Sequence, residues 1–242
     1  MKRISIGSLG LCLAAVFAFS AGAASSASAA ELLIRPAGGG TIAGVTFLSS
    51  ASLAQLFTKA GNEIDCKDAT NHGLFLSATL GNILIRFLAC SSSGFSCKTV
   101  GAGAGEIHLP LTTLFHLGLA HLTGATAGVP ALVILLGKVI EIECSVLKIK
   151  VQGSVIGAIQ RNGQPVPLNT PVTDFNVNFQ QTSNGVQHLR LILMPGTTGL
   201  STYDLEANLG GGFELASEVV NALLDGFTLP GPKEDALEFV EP

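Results

Sequence analysis

The chain predicts an all-β protein, an antiparallel β-sandwich or barrel with Gly-rich turns and at most one short C-terminal helix. Three observations carry that expectation. Short runs alternate apolar and polar residues with period two, Asn-Gly and Gly-Asn pairs punctuate them, and helical signals are confined to one stretch. Close spacing of such strands is the pattern of a sandwich or barrel.

The N-terminus reads as a signal peptide over residues 1–29. Lys2 and Arg3 precede an apolar core from Leu9 to Phe19, and Ala27-Ser28-Ala29 fits a small-residue cleavage site. A β domain over 30–212 and an acidic segment over 213–242 are expected to follow. The remaining length of about 212 residues is enough to bury a substantial core. Hydrophobic residues make up 48% of the chain and charged ones 12%, with 29 glycines, so Ser, Thr, Asn, Gln and Gly must form much of the surface. Without Lys2 and Arg3, 11 of the 13 basic residues stand against 17 acidic ones, a balance of −6. That excludes a nucleic-acid partner, which needs a basic face.

The first element is Glu63-Ile64-Asp65-Cys66. Residues two apart on a strand share a face, so Ile64 and Cys66 point inward and the two acids point to water. Gly81-Asn82 is expected to turn a hairpin between Leu74–Leu80 and Ile83–Ala89. Leu109–Gly137 has no charged residue. It is long enough to span a bilayer, yet Pro110, Pro130 and the run Thr123–Gly128 interrupt it. Two buried or half-buried strands, Leu111–Leu122 and Val129–Leu136, are expected, with a membrane-inserting hairpin as the alternative.

Glu141-Ile142-Glu143-Cys144 repeats the first motif. Its parity is lost in Leu147–Ile156, where Lys148, Lys150, Gln152 and Ser154 share a face, so a turn or bulge belongs near Ser145-Val146. Asn162-Gly163 marks a further turn. In Asp174–Gln180, Phe175, Val177 and Phe179 share one face, and Asn184-Gly185 is expected to link this strand to Val186–Met194. Ser217–Leu224 carries the helical signals: Ser217 as cap, Val219, Val220, Leu223 and Leu224 on one face, Gly226 as stop. Pro230 and Pro232 lead into an expected loose tail.

Four cysteines remain after the leader, and four allow three pairings. Ser91–Ser96 can bring Cys90 to Cys97, which leaves Cys66 for Cys144, the matched inward strands. Export into an oxidising space favours such bonds. Zinc would need C-x2-C spacing or placed histidines, and neither occurs. The pairs Glu63/Asp65 and Glu141/Glu143 could form glycosidase carboxylates, but acids alternating along a strand are ordinarily its wet face. His116 and His121, five apart, fall on opposite strand faces. Gly101–Gly105 lacks the third glycine of a dinucleotide loop, and Asp174-x-Asn176-x-Asn178 has Phe179 where a calcium loop needs glycine. No nucleophile elbow or H-E-x-x-H is present. No residue is therefore assigned as catalytic, cofactor-binding or metal-ligating, and no cofactor is expected.

Between Gly61 and Gly157 the order "EIDC", "FLAC", "FSCKT", "GAGEI", "IEIEC" and "VQGSVIG" resembles a set of signal-peptide-bearing, β-rich proteins of high-GC Gram-positive soil bacteria. The resemblance implies secretion and an all-β fold. It carries no activity and no catalytic residues. The functional expectation is an exported, non-enzymatic binding or structural module, extracellular or at the cell surface, with ligand and partner open and self-association compatible with it. The alternatives are an extracellular hydrolase joining a histidine to Asp174 or Glu106, and a membrane-active protein using Leu109–Gly137.

Overall fold

The computed structural model describes residues 32–121, 128–182, 185–197, 199–229 and 236–241. The leader 1–29 lies outside them, as do residues 122–127, Asn184, Pro230 and Pro232. Every regular element among the described residues is a strand. In the first part of the chain these are β1 (Leu33–Pro36), β2 (Thr46–Ala51), β3 (Ala54–Thr58), β4 (Glu63–Cys66), β5 (Asp68–Phe75), β6 (Leu80–Leu88), β7 (Ser91–Ser92), β8 (Phe95–Thr99) and β9 (Ile107–His121). There follow β10 (Val129–Cys144), β11 (Leu147–Arg161), β12 (Gln164–Pro165), β13 (Pro171–Val172), β14 (Phe175–Phe179), β15 (Leu191–Leu193), β16 (Ser201–Thr202), β17 (Leu205–Asn208), β18 (Phe213–Thr228) and β19 (Leu237–Val240).

Several neighbours in this series are single ribbons with a kink. One register carries β2 and β3 past β5 and β4, from Thr46↔Leu74 to Phe57↔Glu63. Another carries β4 and β5 past β7 and β6, from Asp65↔Ser91 to Phe75↔Gly81. The wall then continues through β8–β9, β10 and β11. Next comes a ribbon supplied in two pieces, β14 and β17, each joining β11 to β18. Strand β18 pairs back to β2 and β3, so the sheet closes on itself. The result is an eight-ribbon, up-and-down antiparallel barrel. A closed sheet has no long edge left to recruit other strands. At this size the interior is just wide enough to be filled by side chains or to hold one small ligand.

One end is plugged. Phe47, Phe75, Phe115, Phe175, Phe227 and Phe239 pack with ring centroids 5.1 to 6.4 Å apart. A three-stranded sheet of β1, β19 and β13 supplies Phe239 to this plug, along with the buried Leu237 and Ile34. Glycines make room for the rings: a Cβ on Gly73 would lie 1.9 Å from the Phe47 ring, and one on Gly81 would lie 2.2 Å from Phe115. Gly81 is thus a strand residue. The hairpin sits where the sequence puts it, but its turn is Leu76–Thr79, closed by Leu76 N–H to Leu80 O at 2.8 Å.

The uncharged region forms two strands, β9 and β10, paired from Leu114↔Leu135 to Ala120↔Val129. Its lack of charge has a structural cause, because both faces are covered. Leu117, Leu132 and Ile134 face the interior core, while Ala120, Ala131 and Val133 face outward beneath Leu189, Ile192 and Met194. A strand buried on both faces reads as a continuous apolar run. Gly118 lets the cover approach, since a Cβ there would meet Leu193 O at 2.5 Å.

Other expectations need correction. Ser217–Leu224 is no helix but the middle of β18, the strand that closes the barrel. Ala216, Val220, Ala222 and Leu224 alternate inward and the β-branched Val219 and Val220 suit a pleat, while Gly226 sits at a register shift rather than a helix stop. Residues 213–228 therefore belong to the β domain, and the expected loose tail ends in the buried strand β19. The Asn184-Gly185 hairpin reduces to a single bridge, Gln181↔Gln187, because β14 pairs with β11 and β18 instead. Asn162-Gly163 turns as expected: both residues have positive φ, and Arg161 pairs with Gln164. So does Ser145-Val146, with Ser145 at φ 58° and Cys144 opposite Leu147.

The cysteine pairing also differs from expectation. The bonds are Cys66–Cys90 and Cys97–Cys144, not Cys90–Cys97 and Cys66–Cys144. The four cysteines form a row across four adjacent ribbons. Cys90 and Cys97 do face each other, but as a hydrogen-bonded pair, with Cys97 N–H donating to Cys90 O at 2.9 Å. Hydrogen-bonded pairs stand farther apart than the alternate ones. The bridged pairs are close, with Cα separations of 3.9 and 4.1 Å.

Candidate functional site: an apolar chamber with one acid

Below the cysteine row the barrel interior is not filled. A cavity of about 70 Å³ lies between Ala54, Leu56, Ile64, Ile107, Ile142, Val151, Val155 and Leu205. A second lobe of about 30 Å³, toward the phenylalanine plug, adds Ser49, Ala69, Asn71, Val177 and Leu224. Ile85, Phe87, Ile134 and Glu218 border both lobes.

Glu218 is the exception in an apolar row. On β18 it stands between Ala216 and Val220, and strand parity turns all three inward. Its carboxyl makes no hydrogen bond or ion pair with any described residue. The residue is half-buried and borders both lobes, and the loss of bulk hydration pushes its pKa up from 4.5 to about 7. The second lobe contributes an amide: Asn71 Nδ2 donates to Ser49 Oγ at 3.1 Å, while Asn71 Oδ1 is buried without a partner. A buried, unpaired polar atom costs roughly 1–3 kcal/mol, so such atoms are kept only where something compensates.

The wall beside Glu218 is where its ribbon is broken. Strand β17 pairs with β18 as far as Ala216, and β14 resumes at Val220. On β11 the corresponding gap lies between Gly153 and Ala158. The Gln187 side chain fills it as a surrogate peptide group. Its Oε1 accepts from Ile156 N–H at 3.0 Å and its Nε2 donates to Ser154 O at 2.8 Å. Ser217 Oγ donates to Gln181 Oε1 at 3.1 Å on the other side. Arg190, in the segment between β14 and β17, pairs two-pronged with Asp204 just before β17 begins, which raises the arginine pKa, chiefly through that hydrogen bonding.

Of the residues that the sequence singles out, Ile64, Cys66 and Ile142 line the chamber, and the charged ones and the histidines fall elsewhere. Ile64, Cys66, Ile142 and Cys144 face inward as expected. Glu141 and Glu143 lie outside, paired across the hairpin with Lys150 at 3.1 Å and Lys148 at 3.2 Å. Glu63 and Asp65 are also outside, both accepting from Gln55 Nε2. Partial burial and the neighbouring Asp65 raise the Glu63 pKa. His108 Nε2 meets Glu106 Oε2 at 3.0 Å, but the Thr99 hydroxyl nearby accepts from the His108 backbone N–H, not from its ring. Asp174 is held by Arg161 at 3.2 Å and by Thr173. Among the described residues no group of three His, Cys, Asp or Glu could hold a metal ion, and no helix is long and apolar enough to cross a membrane. Sequence reasoning missed Glu218. The signal was an acid at the centre of an alternating apolar row, visible only once that row is read as a strand.

No protein-family model matches the chain, and no curated protein or solved structure shows significant similarity to it.

Proposed function

We propose that the protein is an exported, non-enzymatic binding module that encloses a small, mainly apolar molecule inside its barrel. The observation that carries this reading is the open chamber. Protein interiors ordinarily pack to crystal-like density, and the same barrel does so at its phenylalanine end. Apolar walls with a few convergent polar groups are the usual make-up of a small-molecule pocket. Export is supported by the leader sequence, by the resemblance in the middle of the chain and by two disulfides, which persist in oxidising compartments. The test is an NMR titration of the mature chain with toluene. Saturable methyl shifts confined to chamber residues such as Ile134, Ile142 and Val151 are expected. Shifts scattered over the outer surface, or none, would overturn the reading.

A further inference from the structure

We infer that the chamber selects an apolar molecule bearing one donor-rich, basic head, an amine, seated against Glu218 with its hydrocarbon body among Ile85, Ile134 and Val155. This rests on the container reading above and specifies its ligand.

The argument is one of matching. Among the described residues, the polar groups of the lining that lack partners are the Glu218 carboxyl and Asn71 Oδ1, and both accept hydrogen bonds when the acid is ionised. Each borders the second lobe. A ligand that satisfies them must bring donors. An ammonium supplies three donors and a charge opposite to the carboxylate, which a hydroxyl does not. Above about pH 7 an anionic head would meet a like charge among apolar walls, where the repulsion is poorly screened. The other polar side chains of the lining are already engaged, Ser49 by Asn71 and the Gln55 amide by Glu63 and Asp65, and the rest is apolar, so the head is single. Burial has raised the Glu218 pKa to about 7, so the apo chamber can keep its acid neutral near neutral pH and ionise it when a cation arrives.

Toluene, benzylamine and benzoate share one ring and differ in the head, so they separate the two claims. Binding of each to the mature chain at pH 8 is to be followed by NMR shifts of the chamber methyls, in wild type and in Glu218→Gln. Benzylamine is expected to bind at least ten-fold more tightly than benzoate, and Glu218→Gln should remove most of that preference while toluene still binds. Lowering the pH to 5 should weaken benzylamine and leave toluene unchanged. Benzoate binding as tightly as benzylamine, or a preference that survives Glu218→Gln, would overturn the head-group assignment and leave the container intact. Failure of all three probes would overturn the container reading and this inference with it.

Discussion

The two halves of the barrel interior use one wall in opposite ways. At the capped end, glycines at 73 and 81 remove side chains so that Phe47 and Phe115 can fill the space completely. Toward the cysteine row the lining is mainly Ala, Val, Ile and Leu, with Phe87 as its one ring, the space stays open, and a lone carboxyl projects into it. Apart from the ribbon split into β14 and β17, the same ribbons run through both halves, so the number of strands does not explain the difference. Choice of side-chain volume does. One half contributes packing, and the other gives packing up along with the hydration of an acid. Disulfides across β4, β7, β8 and β10 brace the open half.

The sharpest way to break this comparison is to make the packed half open. Phe115→Ala should cost about 4 kcal/mol, the usual range for a buried ring, measured by urea unfolding. Phe87→Ala, which enlarges a chamber that already exists, should cost distinctly less, since its ring is only partly packed against the core. Equal costs would mean that the two halves are packed alike. Next in size is the brace. Replacing Cys66 and Cys90 together by alanine opens a loop spanning 24 residues, and chain entropy puts the loss at about 3 kcal/mol. Peptide mapping without reductant should recover Cys66 with Cys90 and Cys97 with Cys144. Recovery of Cys90 with Cys97 would contradict this register.

The third prediction has the opposite sign. Unfolded, Glu218 gives up its proton near 4.5; folded, near 7. The carboxyl's contribution is therefore complete below 4.5, is lost as pH rises through 7, and then levels off, a total of roughly 3 kcal/mol. A glutamine side chain in place of the acid mimics its neutral form at every pH. The stability of Glu218→Gln relative to wild type should thus grow by roughly 3 kcal/mol between pH 4 and pH 8. A difference independent of pH would mean that the carboxyl keeps its hydration in the folded protein.

How much of this was legible in the chain depended on whether the information was local. Alternation placed Phe175, Val177 and Phe179 on one face, and turned Ile64 and Cys66 inward, because strand parity needs only neighbours. Asn162-Gly163 was legible because positive φ at both positions selects those residues. The cysteine pairing was not, because it depends on which facing pairs fall on the close rungs of the ladder, and that is fixed by the register between ribbons. Nor was the cover over Ala131 and Val133, which arrives from residues 189–194. Glu218 was hidden by the rival helical reading of its segment, in which its neighbours do not form an inward row.

The smallest expected effect concerns what seals the open half at its side. Toward the plug β14 pairs directly with both β11 and β18, whereas beside Glu218 the gap between β14 and β17 is bridged by Gln187 on the β11 side and Gln181 on the β18 side. Removing the Gln187 side chain leaves Ile156 N–H and Ser154 O without partners in a buried position. Gln187→Ala should cost about 2 kcal/mol, within the range for stranded buried polar groups. Hydrogen exchange at the Ile156 amide should quicken while amides of Phe47 and Phe75 at the plug keep their protection, since the damage is local to the seam. Gln187→Glu would test the mechanism more closely. A neutral carboxyl can accept from Ile156 N–H and donate its own proton to Ser154 O, so at low pH this variant should lie between wild type and alanine. Once ionised it has no donor left and sets a buried charge against a carbonyl, so it should drop below alanine. Gln187→Ala exchanging at wild-type rates would mean that the seam is closed by something other than this amide, and that the chamber wall is as continuous as the plugged end.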